Sequence, residues 1–79
     1  MNIMLPDDIW ADLEEGTEAL LQEWHVREGD MVTKGQVLGV AELVKSSIDI
    51  QAPDDGRIKS LMPAQETFPR GAVLGTIGT

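Results

Sequence analysis

Gly35-Gln36-Val37-Leu38-Gly39-Val40 returns 36 residues later as Gly71-Ala72-Val73-Leu74-Gly75-Thr76. Upstream, Val32 meets Phe68 at the same offset. A short apolar motif repeated between glycines predicts a molecule made of two similar halves related by a pseudo-two-fold axis. Each half then contributes a few strands to an all-β flattened barrel or sandwich, an arrangement that hides most sheet edges. At 79 residues the chain has room for one core, so residues 1–79 are read as a single domain. Between the two copies of the motif lies one central hairpin, with Lys45 in its middle. The N and C termini are expected close together, on the side away from Lys45.

Outward from the repeat, short apolar stretches alternate with glycine-bearing turns. Ile3 to Leu5 reads as a first strand ended by Pro6. Glu18 to Val26 is ambiguous. Ala19, Leu20, Leu21, Gln22 and Glu23 are good helix formers, and Ala19, Leu20 and Trp24 could line a helical face. A strand serves equally, with Leu21 and Trp24 turned inward around a local irregularity. Arg27 to Asp30 is a turn. Val37 to Leu43 and Ile48 to Gln51 are strands, and in the second Ile48 and Ile50 alternate with Asp49 and Gln51. Pro53-Asp54-Asp55-Gly56 is a turn tetrapeptide. Arg57 to Met62 and Ala72 to Ile77 complete the strands. The core is expected from Val37 or Leu38, with Val40, Ile48, Ile50, Ile58, Leu61, Val73, Leu74 and Ile77.

Composition removes several classes of function. Fourteen acidic against six basic side chains give a net charge of −8, which repels phosphate backbones and anionic membranes alike. Cysteine is absent, so disulfides, thiolate nucleophiles and Cys-based zinc sites are excluded. No apolar run approaches the ~18 residues of a membrane span. The opening residues lack the basic and apolar regions of a signal peptide, and a cytoplasmic location is expected. His25 is the only histidine and has no second metal ligand nearby in sequence. Glu14-Glu15 and Asp54-Asp55 read as solvated turn acids, and Ser46 and Ser47 lack a base. Trp10 and Trp24 read as packing residues rather than base-stacking platforms. No acid–base or nucleophile constellation is present, so an independent enzyme is not expected.

Lys45 stands in Ala41-Glu42-Leu43-Val44-Lys45-Ser46-Ser47-Ile48. A lysine at a hairpin tip is exposed and open to acylation of its ε-amine, although an exposed turn lysine by itself is ordinary. The surrounding pattern adds to it. Pro6 and Glu15-Gly16-Thr17, then Trp24, Glu28-Gly29-Asp30, Val32, Gly35 and Leu38, then Glu42 to Ser46 and Ala52-Pro53 to Gly56, follow one another as in the biotinyl/lipoyl attachment domains. The chain resembles that family, and within it the lipoyl type, over nearly its whole length. The segment around the lysine is also similar to that of the glycine-cleavage H protein. The resemblance implies a barrel-sandwich hybrid fold and lipoate held as an amide on Lys45. It further implies recognition of Lys45 through Glu42, Val44 and Ser46.

The implied partners are a lipoate ligase or lipoyl transferase, and the dehydrogenase/decarboxylase, acyltransferase and dihydrolipoamide dehydrogenase components of a multienzyme complex. The acidic surface suits a mobile carrier that meets basic mouths on larger enzymes. Two departures stand out. Val44 occupies the place of the family's usual Asp, so Asp there is expected to improve modification by a general ligase. Biotinyl domains carry Met on both sides of the lysine, where this chain has Val44 and Ser46; biotin carriage is therefore the alternative, and an unmodified binding module the alternative of another class. Lys34 and Lys59 lack the flanking pattern.

Overall fold

The computed structural model describes residues 1–78. Its strands are β1 (Asn2–Ile3), β2 (Glu18–Trp24), β3 (Met31–Val32), β4 (Val37–Leu43), β5 (Ser46–Gln51), β6 (Gly56–Leu61), β7 (Thr67–Pro69) and β8 (Gly75–Gly78). A 3-10 turn at Asp7–Trp10 stands between β1 and β2. The strands form two four-stranded antiparallel sheets, ordered β1-β8-β6-β3 and β5-β4-β2-β7. No ladder joins one sheet to the other among the described residues, so the fold is a sandwich rather than a closed barrel.

The two sheet orders are one order written twice. Exchanging β1 with β5, β2 with β6, β3 with β7 and β4 with β8 turns one into the other. The likeness extends to single hydrogen bonds. The amide of His25 donates to the carbonyl of Leu38 at 2.7 Å, and that of Met62 donates to Leu74 at 2.8 Å. Register slips between Leu21 and Glu23 where β2 pairs with β4, and between Ile58 and Ser60 where β6 pairs with β8. Gly39 pairs with Trp24 and Gly75 with Leu61, each just past its bulge. A Cβ added to Gly39 would approach the Glu23 carbonyl oxygen to 2.5 Å, and one added to Gly75 would collide with that of Ser60. Glycine at positions 39 and 75 is therefore demanded by close backbone approach beside the bulges.

Side-chain alternation fills the space between the sheets. Leu21, Leu38, Ile50, Ile58, Leu74 and Ile3 are fully buried. Trp10, carried by the 3-10 turn, meets Phe68 of β7 edge to face, with centroids 6.3 Å apart, the arrangement aromatic quadrupoles favour. Trp24 is half-buried and donates its indole N–H to the Met62 carbonyl at 2.8 Å.

The structure decides the ambiguous segment. Glu18–Trp24 is a strand with a bulge after Leu21. Pairing with β4 on one side and β7 on the other overrides its local helix propensity. Some expectations need correction. Val73 is 47% exposed rather than core: it shares a repeat position with Val37, 38% exposed, and the inward place in each copy belongs to the following leucine. Val40, Ile48 and Leu61 are only half-buried. The last strand begins at Gly75 rather than Ala72, and the first is Asn2–Ile3 rather than Ile3–Leu5. Leu5 beyond it is nevertheless buried.

The halves differ at the junctions between their strands. A tight turn joins β4 to β5, while β8 and β1, their counterparts, are paired but not joined in that way. There the Met1 ammonium donates to the Ile77 carbonyl at 2.8 Å. The start of the chain and the last described residues thus lie together. Met1, Ile77 and Gly78 share a hollow with Asp54 and Asp55, beyond the end of β5 opposite Ser46.

Candidate functional site

β4 and β5 pair from Val37 with Gln51 up to Leu43 with Ser46, which leaves Val44 and Lys45 as a two-residue turn. Val44 has φ +60°, and Lys45 is not among the positive-φ residues. A positive φ at only the first central residue is the pattern of a type II′ hairpin turn, whose twist matches that of its strands. Glycine is the unstrained choice at that position. A β-branched residue there costs about 1–3 kcal/mol.

Lys45 is exposed and has no ion pair or side-chain hydrogen bond among the described residues. Leu43, immediately before the turn, is buried and anchors it. Lys45 therefore projects from a fixed base into solvent. Acylating its amine breaks no contact and buries no charge, and in that respect the residue fits a lipoyl amide.

The neighbours expected around Lys45 are near it in different ways. Val44 is 60% exposed, and Ser46 begins β5 on the other side of the turn. Glu42 is exposed on β4, but its carboxylate accepts a hydrogen bond from the Gln22 side chain at 2.9 Å and makes no ion pair with Lys45 among the described residues. Val44, Ser46, Leu43 and Ile48 line a surface hollow of about 200 Å³ together with Ile9 and Leu13. The sequence reading missed those last two. They sit far from Lys45 along the chain, in the segment between Pro6 and Gly16, where only a fold could bring them to the tip.

Lys34 and Lys59 stand elsewhere. The Lys34 amide is bound by Asp55, and Lys59 lies in β6, its side chain against Gly78. His25 is exposed, 3.9 Å from Glu23, and no three potential ligands gather around a metal position among the described residues. No helix among them is long and apolar enough to cross a membrane.

The strongest electrostatic contact lies in the segment leading to Ile9. Arg70 donates from Nε and Nη2 to the two carboxylate oxygens of Asp7, both at 2.7 Å. These hydrogen bonds, and then the guanidinium charge, hold the Asp7 carboxyl below its usual range and raise Arg70.

The chain is similar in sequence to several known proteins. The beta subunit of the pyruvate dehydrogenase E1 component of Rhizobium meliloti is 38% identical over 55 residues, 70% of this chain and 11% of its own length. The dihydrolipoyllysine-residue acetyltransferase component of the pyruvate dehydrogenase complex of the same organism is 35% identical over 81% of this chain and 14% of its own length. The dihydrolipoyllysine-residue succinyltransferase component of the 2-oxoglutarate dehydrogenase complex of Buchnera aphidicola is 32% identical over 98% of this chain and 18% of its own length. The chain thus spans less than a fifth of each of these relatives. In fold it matches the solution structure of the lipoyl domain of the 2-oxoglutarate dehydrogenase complex from Azotobacter vinelandii. The TM-score is 0.77 at 21% identity, over 100% of this chain and 96% of that one. The model of the family described as "Biotin-requiring enzyme" matches residues 11–77, and the chain belongs to this biotin/lipoyl attachment family.

Proposed function

We propose that residues 1–79 act as one lipoyl carrier domain, with lipoate attached as an amide to Lys45, serving successive active sites of a 2-oxo acid dehydrogenase type of complex. The observation that carries this reading is Lys45 itself, an exposed amine at the tip of the β4–β5 turn with no side-chain partner among the described residues. Two of the relatives above are named for a dihydrolipoyllysine residue, which supports lipoate rather than biotin. Val44 and Ser46 in place of flanking methionines support the same choice.

When attached, the dithiolane supplies the acyl-carrying and redox chemistry. The protein's own residues tether and orient. The two sheets fix the hairpin, and the hairpin fixes Lys45, so a modifying enzyme meets one geometry. Tethering raises the effective concentration of the arm at each partner site. Val44 and Ser46 flank the amine and, with Glu42 on β4, form the surface that a lipoate ligase or lipoyl transferase reads. The further partners on this reading are the dehydrogenase/decarboxylase, acyltransferase and dihydrolipoamide dehydrogenase components, in the cytoplasm. The surplus of negative charge favours encounters with basic entrances on them.

Parallel incubations test the choice of cofactor. The protein is treated with lipoate ligase, ATP and lipoate, or with biotin ligase, ATP and biotin, and then digested and mapped by tandem mass spectrometry. Lipoyl on Lys45 and no biotin is the expected result. Biotin on Lys45 would replace the reading by a biotin carrier, and an unmodified chain in both would favour a binding module.

A further inference from the structure

The pseudo-two-fold relation pairs all eight described strands, so the connections that differ most between the halves stand out. One is the β4–β5 tip. The other is the link from β1 to β2, residues 4–17, whose counterpart between β5 and β6 is only residues 52–55. The long link does not wander off the molecule. It carries Ile9 and Leu13 to the tip, where both are half-buried beside Leu43, Val44, Ser46 and Ile48. The two departures from symmetry therefore meet, and what they build is the hollow next to Lys45.

Val44 is unusual in the same place. It adopts φ +60°, a conformation costly for a β-branched residue, and its side chain remains 60% exposed. Burial does not offset the strain in the isolated domain. Strain kept without packing directs attention to what the side chain meets in use. Apart from Ser46, every residue lining the hollow is aliphatic.

We propose that this hollow is the resting seat of the arm attached to Lys45, which folds back over Val44 so that its aliphatic chain lies against Ile9, Leu13 and Ile48. The inference rests on Lys45 being the lipoyl site. The aliphatic part of such an arm exposes apolar surface whenever it stands in water, and burying it is favourable. The hollow's volume of about 200 Å³ is suited to a medium-length acyl chain, and it adjoins the attachment point through both turn neighbours. An acid at position 44 would set a charge on the rim. Val44 thus keeps the seat apolar where the family's usual Asp would serve the ligase.

The test compares the lipoylated wild type with lipoylated Val44→Asp, each confirmed by mass to carry one lipoyl group on Lys45. Position 44 is exposed, so the substitution leaves the core intact, and Asp is expected to load at least as well. In the wild type, NMR should show nuclear Overhauser contacts from the arm methylenes to the methyls of Ile9, Leu13 and Ile48. Lipoylation should also raise the thermal midpoint by about 4 °C, as a ligand bound only by the folded state does. Val44→Asp should lose the contacts and the rise. Contacts confined to Val44, Lys45 and Ser46, with an unchanged midpoint, would overturn the seat and leave the hollow to a partner's side chain. Equal contacts in Val44→Asp would overturn the role of Val44. A wild type that takes no lipoyl group on Lys45 would instead remove the carrier reading, and the seat with it.

Discussion

Gly39 lies so close to Glu23 that a Cβ on the glycine would stand 2.5 Å from the Glu23 carbonyl oxygen. The contact lies beside the β2 bulge, where β4 pairs with the strand that local propensity left undecided. Gly39→Ala must push the backbone apart there, and overpacking of this kind costs about 1–3 kcal/mol. Urea unfolding should show a loss in that range. A variant as stable as the wild type would mean that the bulge yields freely.

Ile50 and Val73 were both expected in the core, and only Ile50 is there. Ile50→Ala should cost about 2–5 kcal/mol through lost burial and the cavity left behind. Val73→Ala should change stability by under about 0.5 kcal/mol. Chemical denaturation of the two variants side by side checks this, and similar losses in both would contradict the observed burial.

Much of the fold was legible because the repeat is structural. Its later glycine, Gly39 or Gly75, marks a close contact and the leucine before it marks the inward face, so Leu38 predicts Leu74. β2 was not legible, because Ala19 to Glu23 favour a helix locally and only pairing with β4 and β7 makes them a strand. Phe68 and Trp10 escaped the core list since neither sits in an alternating run. At the candidate site, Lys45 and its turn could be read from local sequence. Ile9 and Leu13 could not, because their nearness to Val44 is a product of the long β1–β2 link.

The Asp7–Arg70 pair fastens that link to the end of β7. Hydrogen bonding to Arg70 depresses the Asp7 pKa from its ordinary 3.8. A depressed carboxylate contributes its stabilisation above the unfolded-state value and loses it as pH falls through the lower, folded one. NMR titration of the Asp7 carboxyl should give a midpoint below 3.8. Asp7→Asn should remove the pH dependence of the Ile9 and Leu13 signals below that point. Both groups are exposed, so added salt should weaken the effect. A midpoint at or above the ordinary value would contradict the pairing.

The central claim is that Lys45 is the attachment point, and intact mass measures it most directly. Wild type and Lys45→Arg are incubated with lipoate ligase, ATP and lipoate. Arg keeps the charge at an exposed turn, so the fold should persist by circular dichroism, but its guanidinium does not form the lipoyl amide. The wild type should gain the mass of one lipoyl group and Lys45→Arg none. An addition that survives in Lys45→Arg, or a wild type that gains nothing, would contradict the account.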